Sequence, residues 1–510
     1  MLQKDQVFVN FYYVSLGLKD LQVRLTRVRS ISGNSRSHRP ERLSATRHPP
    51  RLSGHQAKAG ANCQRPKKGG SKLTAAATYP TQADHTARQR RATLAAFVGT
   101  AMEWYDFFIF GTAAALVFGK VFFPTIDPDN ARLAAFATLW VGFLTRPLGG
   151  AICGYLGDRY GRKNVLVGTL VLMGAATTAI GLLPSYAQIG IAAPIMLVVL
   201  RACQGFAVGG EWAGAVVMAT EHASEQKKNR AGAWVQQGNP VGAILSSLAF
   251  VIVGQLDDVD FISWGWRIPF LISFVLVIIG VLIRLKVQES DEFTEMKASG
   301  ATAKNPVAEV FTKAPGILTL AVIASISGIS VAYFLNTFVL SWTTSALKID
   351  RQSMLNILLI TYVVQFFWQP IAANLADKIG NAKVMIGGLA FAIAMAVPYF
   401  WAILSGNLLV IGIAQSLTMI GVCTYYAMLA SFLSAAFPVR YRYTGVSLAY
   451  QLCSTLIGGS TPLLAQWILN GTGGSPWGVA AFYGASLLAT MAGVFFLGRV
   501  VRRGNEQEAI

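Results

Sequence analysis

Along this chain, long apolar runs and short polar breaks alternate twelve times. The runs fall at 94–119, 132–155, 165–184, 191–219, 232–254, 267–285, 316–342, 353–375, 384–404, 408–436, 444–469 and 478–498. Each is close to the ~20 helical residues needed to cross ~30 Å of hydrocarbon. The pattern predicts an all-α polytopic membrane protein of twelve transmembrane helices. The longest internal polar stretch, VQESDEFTEMKASGATAKNPVAEVFTKAP, separates the sixth run from the seventh. It divides the chain into two six-helix halves, 93–287 and 316–499. A central loop at 288–315 joins them, and a short tail occupies 500–510.

Composition agrees with that reading. Charged residues make up 13% of the chain and mean hydropathy is +0.47, whereas soluble domains carry about 25% charged residues. The net charge of +19 is concentrated at one end, because residues 1–91 hold 18 Lys and Arg against 4 Asp and Glu. Residues 1–92 are rich in Arg, Ser, His, Gln and Pro and lack the apolar content for a core. The segment is expected to be a disordered, basic extension. Its apolar run Val7–Leu16 is too short to span a bilayer. Beyond residue 91, assigning both termini to the cytoplasm puts 18 basic residues on the inner side and 5 on the outer. That bias predicts cytoplasmic termini.

No C-x-x-C pair or Cys/His cluster occurs among the five cysteines and five histidines, so no metal site is expected. Nor does any nucleophile–base constellation occur, which argues against an enzyme. The ionisable residues inside the runs are Glu103, Asp106, Arg146, Arg201 and Glu211, all in the first half. The second half offers neutral polar groups instead, among them Asn336, Gln365 and Gln369. A charge at the bilayer centre costs at least ~2.5–3.5 kcal/mol, so these positions are expected to face protein or a watery cavity. At ~1.5 Å rise per residue, Glu103, Arg146 and Glu211 come to similar depth. Asp106 lies nearest the midplane with no partner at its own level, and Arg201 is placed to reach down to it. A carboxylate whose partners and water change during alternating access binds a proton on one side and releases it on the other. Proton coupling is therefore expected from Glu103, Asp106, Arg201, Glu211 and Arg146. Candidate solute contacts are Tyr105, Gln204, Gln236, Asn239, Tyr333, Asn336, Gln365 and Gln369. Gly205, Gly209 and Gly210 follow Arg201 at spacings that suit close helix packing.

The halves also resemble each other. GDRYGRKNVLVGTL joins runs two and three, and ADKIGNAKVMIGGL joins runs eight and nine, with Asp158 matching Asp377 and Gly161 matching Gly380. Such internal duplication is a common transporter plan, with the binding site between the repeats. Gly157 and Gly161 permit a tight turn. Asp158 is suited to accept hydrogen bonds from a helix N-terminus, and Arg159 and Arg162 to anchor at headgroups. Together with Asp377 they are the expected gating loop.

The motif GYLGDRYGRK (Gly154–Lys163) resembles the signature between helices two and three of the major facilitator superfamily, and RACQGF (Arg201–Phe206) resembles its helix-four motif. EWYDFFIFGTAAALVF, RPLGGAICGYLGDRYGRK, QGFAVGGEWAGAVVMATEHA, GWRIPFLIS and FPVRYRYTGVSLAYQL, in that order, look like the metabolite:proton symporter subfamily. The resemblance implies proton-coupled uptake of a small metabolite: a dicarboxylate, a 2-oxo acid, shikimate or a zwitterionic osmolyte. It implies that Asp158 is the latch aspartate and Arg201 the helix-four arginine linked to proton transfer. Asn381 and Ala382 stand where the second-half loop of the family commonly has arginines, so the latch is not symmetric. No extended heptad tail of the osmosensing members follows Arg503.

The expectation is a secondary active transporter in the cell membrane, importing an organic acid with protons. Its partners are the metabolite, protons and the bilayer; no cofactor and no nucleic acid are expected, and the working unit is a monomer. A proton-linked antiporter and a non-transporting receptor are the alternatives. Gln236–Ile244 lacks the fuller Gly-Pro pattern of many antiporters, which favours symport.

Overall fold

The computed structural model describes residues 82–160, 162–209, 236–285, 306–438 and 442–508, all within one compact unit, Thr78–Ile510. The expected extension up to residue 81 and the candidate residue Glu211 lie outside the described residues, as does Gly161. Every regular element among the described residues is helical. Among the described residues, eleven helices are long and apolar enough to cross a membrane, and a shorter apolar one stands where the fifth run was expected.

The first span is α1 (Gln82–Ala113), extended by a π-helical turn at Ala114–Phe118 and by Gly119–Phe122. It starts before the expected boundary at 92, and the stretch ahead of it is rich in the good helix formers Ala, Arg and Gln. The second span is α2 (Pro128–Leu144), capped by Asp127, and continues past Thr145 as α3 (Arg146–Tyr160). Then follow α4 (Arg162–Leu182), α5 (Ala192–Gly209), α6 (Gly238–Val253) and α7 (Arg267–Leu285). The expected central loop contains a helix, α8 (Pro306–Lys313). Val307, Val310 and Phe311 fall at helical spacing there and form an apolar stripe, which packs through the fully buried Val310 while Val307 and Phe311 stay exposed.

The remaining spans are α9 (Pro315–Tyr333) with a π-helical turn at Phe334–Val339, α10 (Arg351–Ile379), α11 (Asn381–Leu404) and α12 (Leu408–Ala436). Next come α13 (Arg442–Cys453), joined by another π-helical turn to α14 (Thr461–Gly471), and α15 (Pro476–Glu508), which runs past the expected boundary at 499. The register that lays Asp158 on Asp377 also lays Ala115 on Phe334, so spans one and seven carry their π turns at matching places. Such turns often mark functional sites. Asp350 caps α10, and the Ser353 backbone N–H and hydroxyl hold its carboxyl below the usual carboxylate range. Gly380, at φ 96°, makes the turn into α11, a conformation that costs a side chain heavily.

The first six spans pack mainly on one another, and so do the last six. Among the described residues, the main seams joining them are α6 against α10 and α2 against α14, with span one also touching span seven. At one end of the first seam Arg351 donates to Asp258 at 2.7 Å and to the carbonyls of Gly254 and Leu256 at 3.0 and 2.8 Å. Its guanidinium also lies 4.0 Å from the Phe261 ring centre. Gln352 adds a bond to Val251 O at 3.1 Å. In the second seam Trp140 Nε1 donates to Thr455 O at 2.8 Å and Thr455 Oγ1 to Phe143 O at 2.9 Å. Within the first six spans, α5 lies backbone to backbone against α2 and α3. A Cβ added to Gly205 would overlap Gly142 O, one on Gly209 would overlap Arg146 O, and one on Gly149 would overlap Phe206 O. Gly205 and Gly209 therefore serve close packing, as their spacing predicted, while Gly210 lies outside the described residues.

Candidate functional site

Glu103, Asp106, Arg146 and Arg201 are all buried in protein, none more than 5% exposed. The aromatic residues around the two acids, Trp104, Phe107, Phe108 and Phe110, are buried as well, so they are core packing rather than lipid contacts. Phe107 lies between the two arginines, with the Arg146 guanidinium 4.4 Å and the Arg201 guanidinium 4.3 Å from its ring centre. Arg146 also faces Phe143 at 4.3 Å, and Arg201 faces Phe110 at 4.1 Å. Ring faces carry negative quadrupole charge, which is how an apolar surround accommodates a cation. Gly142 leaves the room: a Cβ there would press on Arg201 Nε.

Asp106 has partners that depth reckoning missed. Its Oδ2 accepts from Thr177 Oγ1 at 2.8 Å, and its Oδ1 accepts from Ser273 Oγ at 2.6 Å. Thr177, on α4, in turn accepts from Gln204 Nε2 at 2.7 Å. Gln204 Oε1 accepts from Arg201 at 2.9 Å. Asp106 and Arg201 are thus linked through two neutral side chains on α4 and α5. Ser273 was detectable as the one hydroxyl in the apolar run FLISFVLVIIGVLI; Thr177 sits beside Thr178 in an apolar run and carries no such mark. Gln204, taken from the sequence as a solute contact, belongs to this chain.

A second group of polar side chains lies where the first six spans meet the last six. A cavity of about 20 Å³ there is lined by Phe108, Asn239, Tyr362, Gln365, Cys423 and Tyr426, among others. It holds a water-sized object and is too small for a metabolite without movement of the helices. Gln365 Nε2 donates to Asn239 Oδ1 at 3.0 Å across the seam. Tyr426 lies beside Tyr450 and Gln236. Glu103 and Arg146 both lie within electrostatic reach of Tyr333, Tyr426 and Tyr450. The hydroxyls of Tyr333 and Tyr362 and both amide atoms of Gln369 are buried without a hydrogen-bond partner among the described residues. Buried polar groups left so are costly and rare.

The structure separates the remaining candidates. Tyr105 donates to Pro269 O at 2.7 Å and does not line the cavity. Asn336 donates to Phe108 O at 3.3 Å and accepts from Thr112 at 3.3 Å, tying span seven to span one. Asn239 and Gln365 line the cavity; Gln236, Tyr333 and Gln369 are buried but are not in its wall. Tyr362 and Tyr426 were not anticipated. Tyr362 shares a helical face with Gln365 and Gln369, which a reading by faces would have caught. In the expected gating loop, Gly157, Asp158 and Arg159 lie on the last turn of α3 and Arg162 opens α4; Asp377 is exposed near the end of α10.

Comparison with known proteins gives a consistent answer. The chain is 40% identical over 407 residues to the Shikimate transporter of Escherichia coli (strain K12), covering 78% of this chain and 91% of that protein. It is 37% identical over 395 residues to the Proline/betaine transporter of Salmonella typhimurium, covering 75% and 78%. A crystal structure of the D-xylose-proton symporter shares the fold at a TM-score of 0.64 and 16% identity, over 80% of this chain and 97% of that one. Residues 92–462 match the Major Facilitator Superfamily model. With its apolar helices, its buried charges and these relatives together, the chain belongs to the Major Facilitator Superfamily, as a multi-pass membrane transporter of small molecules and not an enzyme.

Proposed function

We propose that this transporter is a proton-coupled symporter of a small organic acid, working by alternating access between its two six-helix halves. The observation that carries the reading is the buried chain from Asp106 through Thr177 and Gln204 to Arg201. An acid in a protein interior is worth its cost where its charge changes during work. Asp106 takes the proton, and Arg201 answers the change in its charge. Glu103 and Arg146, at the meeting of the halves, couple that event to the solute. The solute sits among Asn239, Gln365, Tyr362 and Tyr426, with Tyr333, Gln236 and Gln369 adjoining. Neutral amides and phenols suit hydroxyl and carboxylate oxygens, and Arg146 supplies the positive charge for an acid. The 40% identical relative named for shikimate supports a hydroxylated carboxylate over a zwitterion.

The test is radiolabel uptake into proteoliposomes under an imposed pH gradient, with shikimate, a dicarboxylate, a 2-oxo acid and betaine. Symport predicts alkalinisation of the outer medium when the accepted solute is added. Acidification would replace this reading with exchange, and binding without flux would replace it with a receptor.

A further inference from the structure

The direction of every hydrogen bond between Arg201 and Asp106 follows from chemistry. A guanidinium has donors and no acceptor. The Gln204 oxygen must therefore face Arg201, and its nitrogen must face Thr177. Thr177 Oγ1 accepts from Gln204, which leaves its one hydrogen for another partner. Two acceptors lie within reach of that hydrogen: Asp106 Oδ2 at 2.8 Å and Met173 O, one turn back on α4, at 2.9 Å.

We propose that Thr177 is a positioning residue whose hydroxyl reverses direction with the protonation of Asp106 and so reports that state to Arg201. This rests on the reading of Asp106 as the proton carrier. With Asp106 ionised, Thr177 donates to Oδ2. Arg201, Gln204, Thr177 and Asp106 then form a head-to-tail chain in which each dipole reinforces the next. When Asp106 takes a proton on Oδ2, that O–H donates to Thr177 Oγ1, and the Thr177 hydrogen turns to Met173 O. No group loses its partner: the hydroxyl still makes one donation and now fills two lone pairs. The polarity of the chain breaks at Thr177, because Gln204 and Asp106 now both donate to one oxygen. The hold on Arg201 weakens, and its Nε and second terminal nitrogen, buried without partners, are free to take new ones. Ser273 donates to Oδ1 in both states and selects Oδ2 for the proton. The charged and titratable groups near this chain include Arg201 on α5, Tyr333 on α9 and Arg146 on α3, both within electrostatic reach of Arg201, and Tyr105 on α1 beside Asp106. From α4 and α7, Asp106 receives the hydroxyls of Thr177 and Ser273.

The experiment is infrared difference spectroscopy of the full-length protein in liposomes, between alkaline and acidic buffer and without solute. The carboxylic C=O band absent in Asp106→Asn belongs to Asp106. In Thr177→Val the acid proton loses its acceptor, and the band moves to higher wavenumber. In Thr177→Ser it returns to the wild-type position. Gln204→Met removes the competing donor to Thr177, so the band moves to lower wavenumber, although Gln204 does not touch Asp106. In Thr177→Val/Gln204→Met the second change has no further effect, as for two members of one chain. A band that ignores Thr177→Val, or a Gln204→Met shift that persists without the hydroxyl, overturns the reversal while leaving Asp106 as proton carrier. Should Thr177→Val not fold, the Gln204→Met shift alone decides. Absence of any Asp106 band overturns both readings.

Discussion

Two buried polar regions of this transporter are built differently. The first, within the first six spans, is charged and bonded end to end: Arg201, Gln204, Thr177, Asp106 and Ser273 are joined in sequence, with Arg201 Nε and its second terminal nitrogen left without partners among the described residues. The second, at the meeting of the two sets of spans, is largely neutral. It keeps Tyr333, Tyr362 and Gln369 buried without partners among the described residues. A chain bonded end to end around an acid stores a state. A set of unmatched donors and acceptors is instead completed by whatever arrives. On the proposed function, the proton and the solute would be handled by different chemistries.

The largest expected effect comes from breaking the first region. Asp106→Asn abolishes concentrative uptake under a pH gradient but retains counterflow in proteoliposomes; accumulation kept in this variant would remove Asp106 from coupling. Next is Gln365→Leu, which strands Asn239 in the interior. It costs about 1–3 kcal/mol, read as an earlier unfolding midpoint in detergent, whereas Gln369→Leu leaves the midpoint unchanged or later and impairs uptake. Tyr333→Phe sharpens the contrast further. Deleting an unmatched hydroxyl raises stability by about 1 kcal/mol yet weakens half-saturation by roughly 5–10-fold, while Thr177→Val lowers stability by a similar amount. Equal signs in the two regions would erase the distinction. The smallest effect is at the seam's end. Asp258 is mostly exposed, so Asp258→Asn changes stability by no more than about 0.5 kcal/mol. Arg351→Ala removes three bonds and raises cysteine labelling of residues beneath that end, with the Asp106 infrared band unmoved.

The spans were legible in the sequence because bilayer thickness sets a length that hydropathy reveals directly. Glu103, Asp106, Arg146 and Arg201 were legible for a related reason: charge is conspicuous in an apolar run. The hydroxyls that complete Asp106 were not. A threonine in a helix ordinarily bonds its own preceding turn, as Thr177 also does to Met173 O, so nothing local marks it as a partner of Asp106. Tyr105 misled for the opposite reason. It sits next to Asp106 in sequence, but neighbours on a helix point about 100° apart, and its hydroxyl goes to Pro269 O. The helix at Pro306–Lys313 was hidden by the polar residues around it, which dilute a stripe only two turns long.

The glycine contacts of α5 bear on mechanics. Where main chain meets main chain, no side chain remains that can yield, so the second and fourth spans behave as a single stiff beam. Arg201 sits in the notch at Gly142, and the carbonyl of Arg146 rests against Gly209, so the backbone segments that carry both cations are held together. A side chain placed at Gly205 or Gly209 would push the two spans apart and displace the backbone that carries both cations.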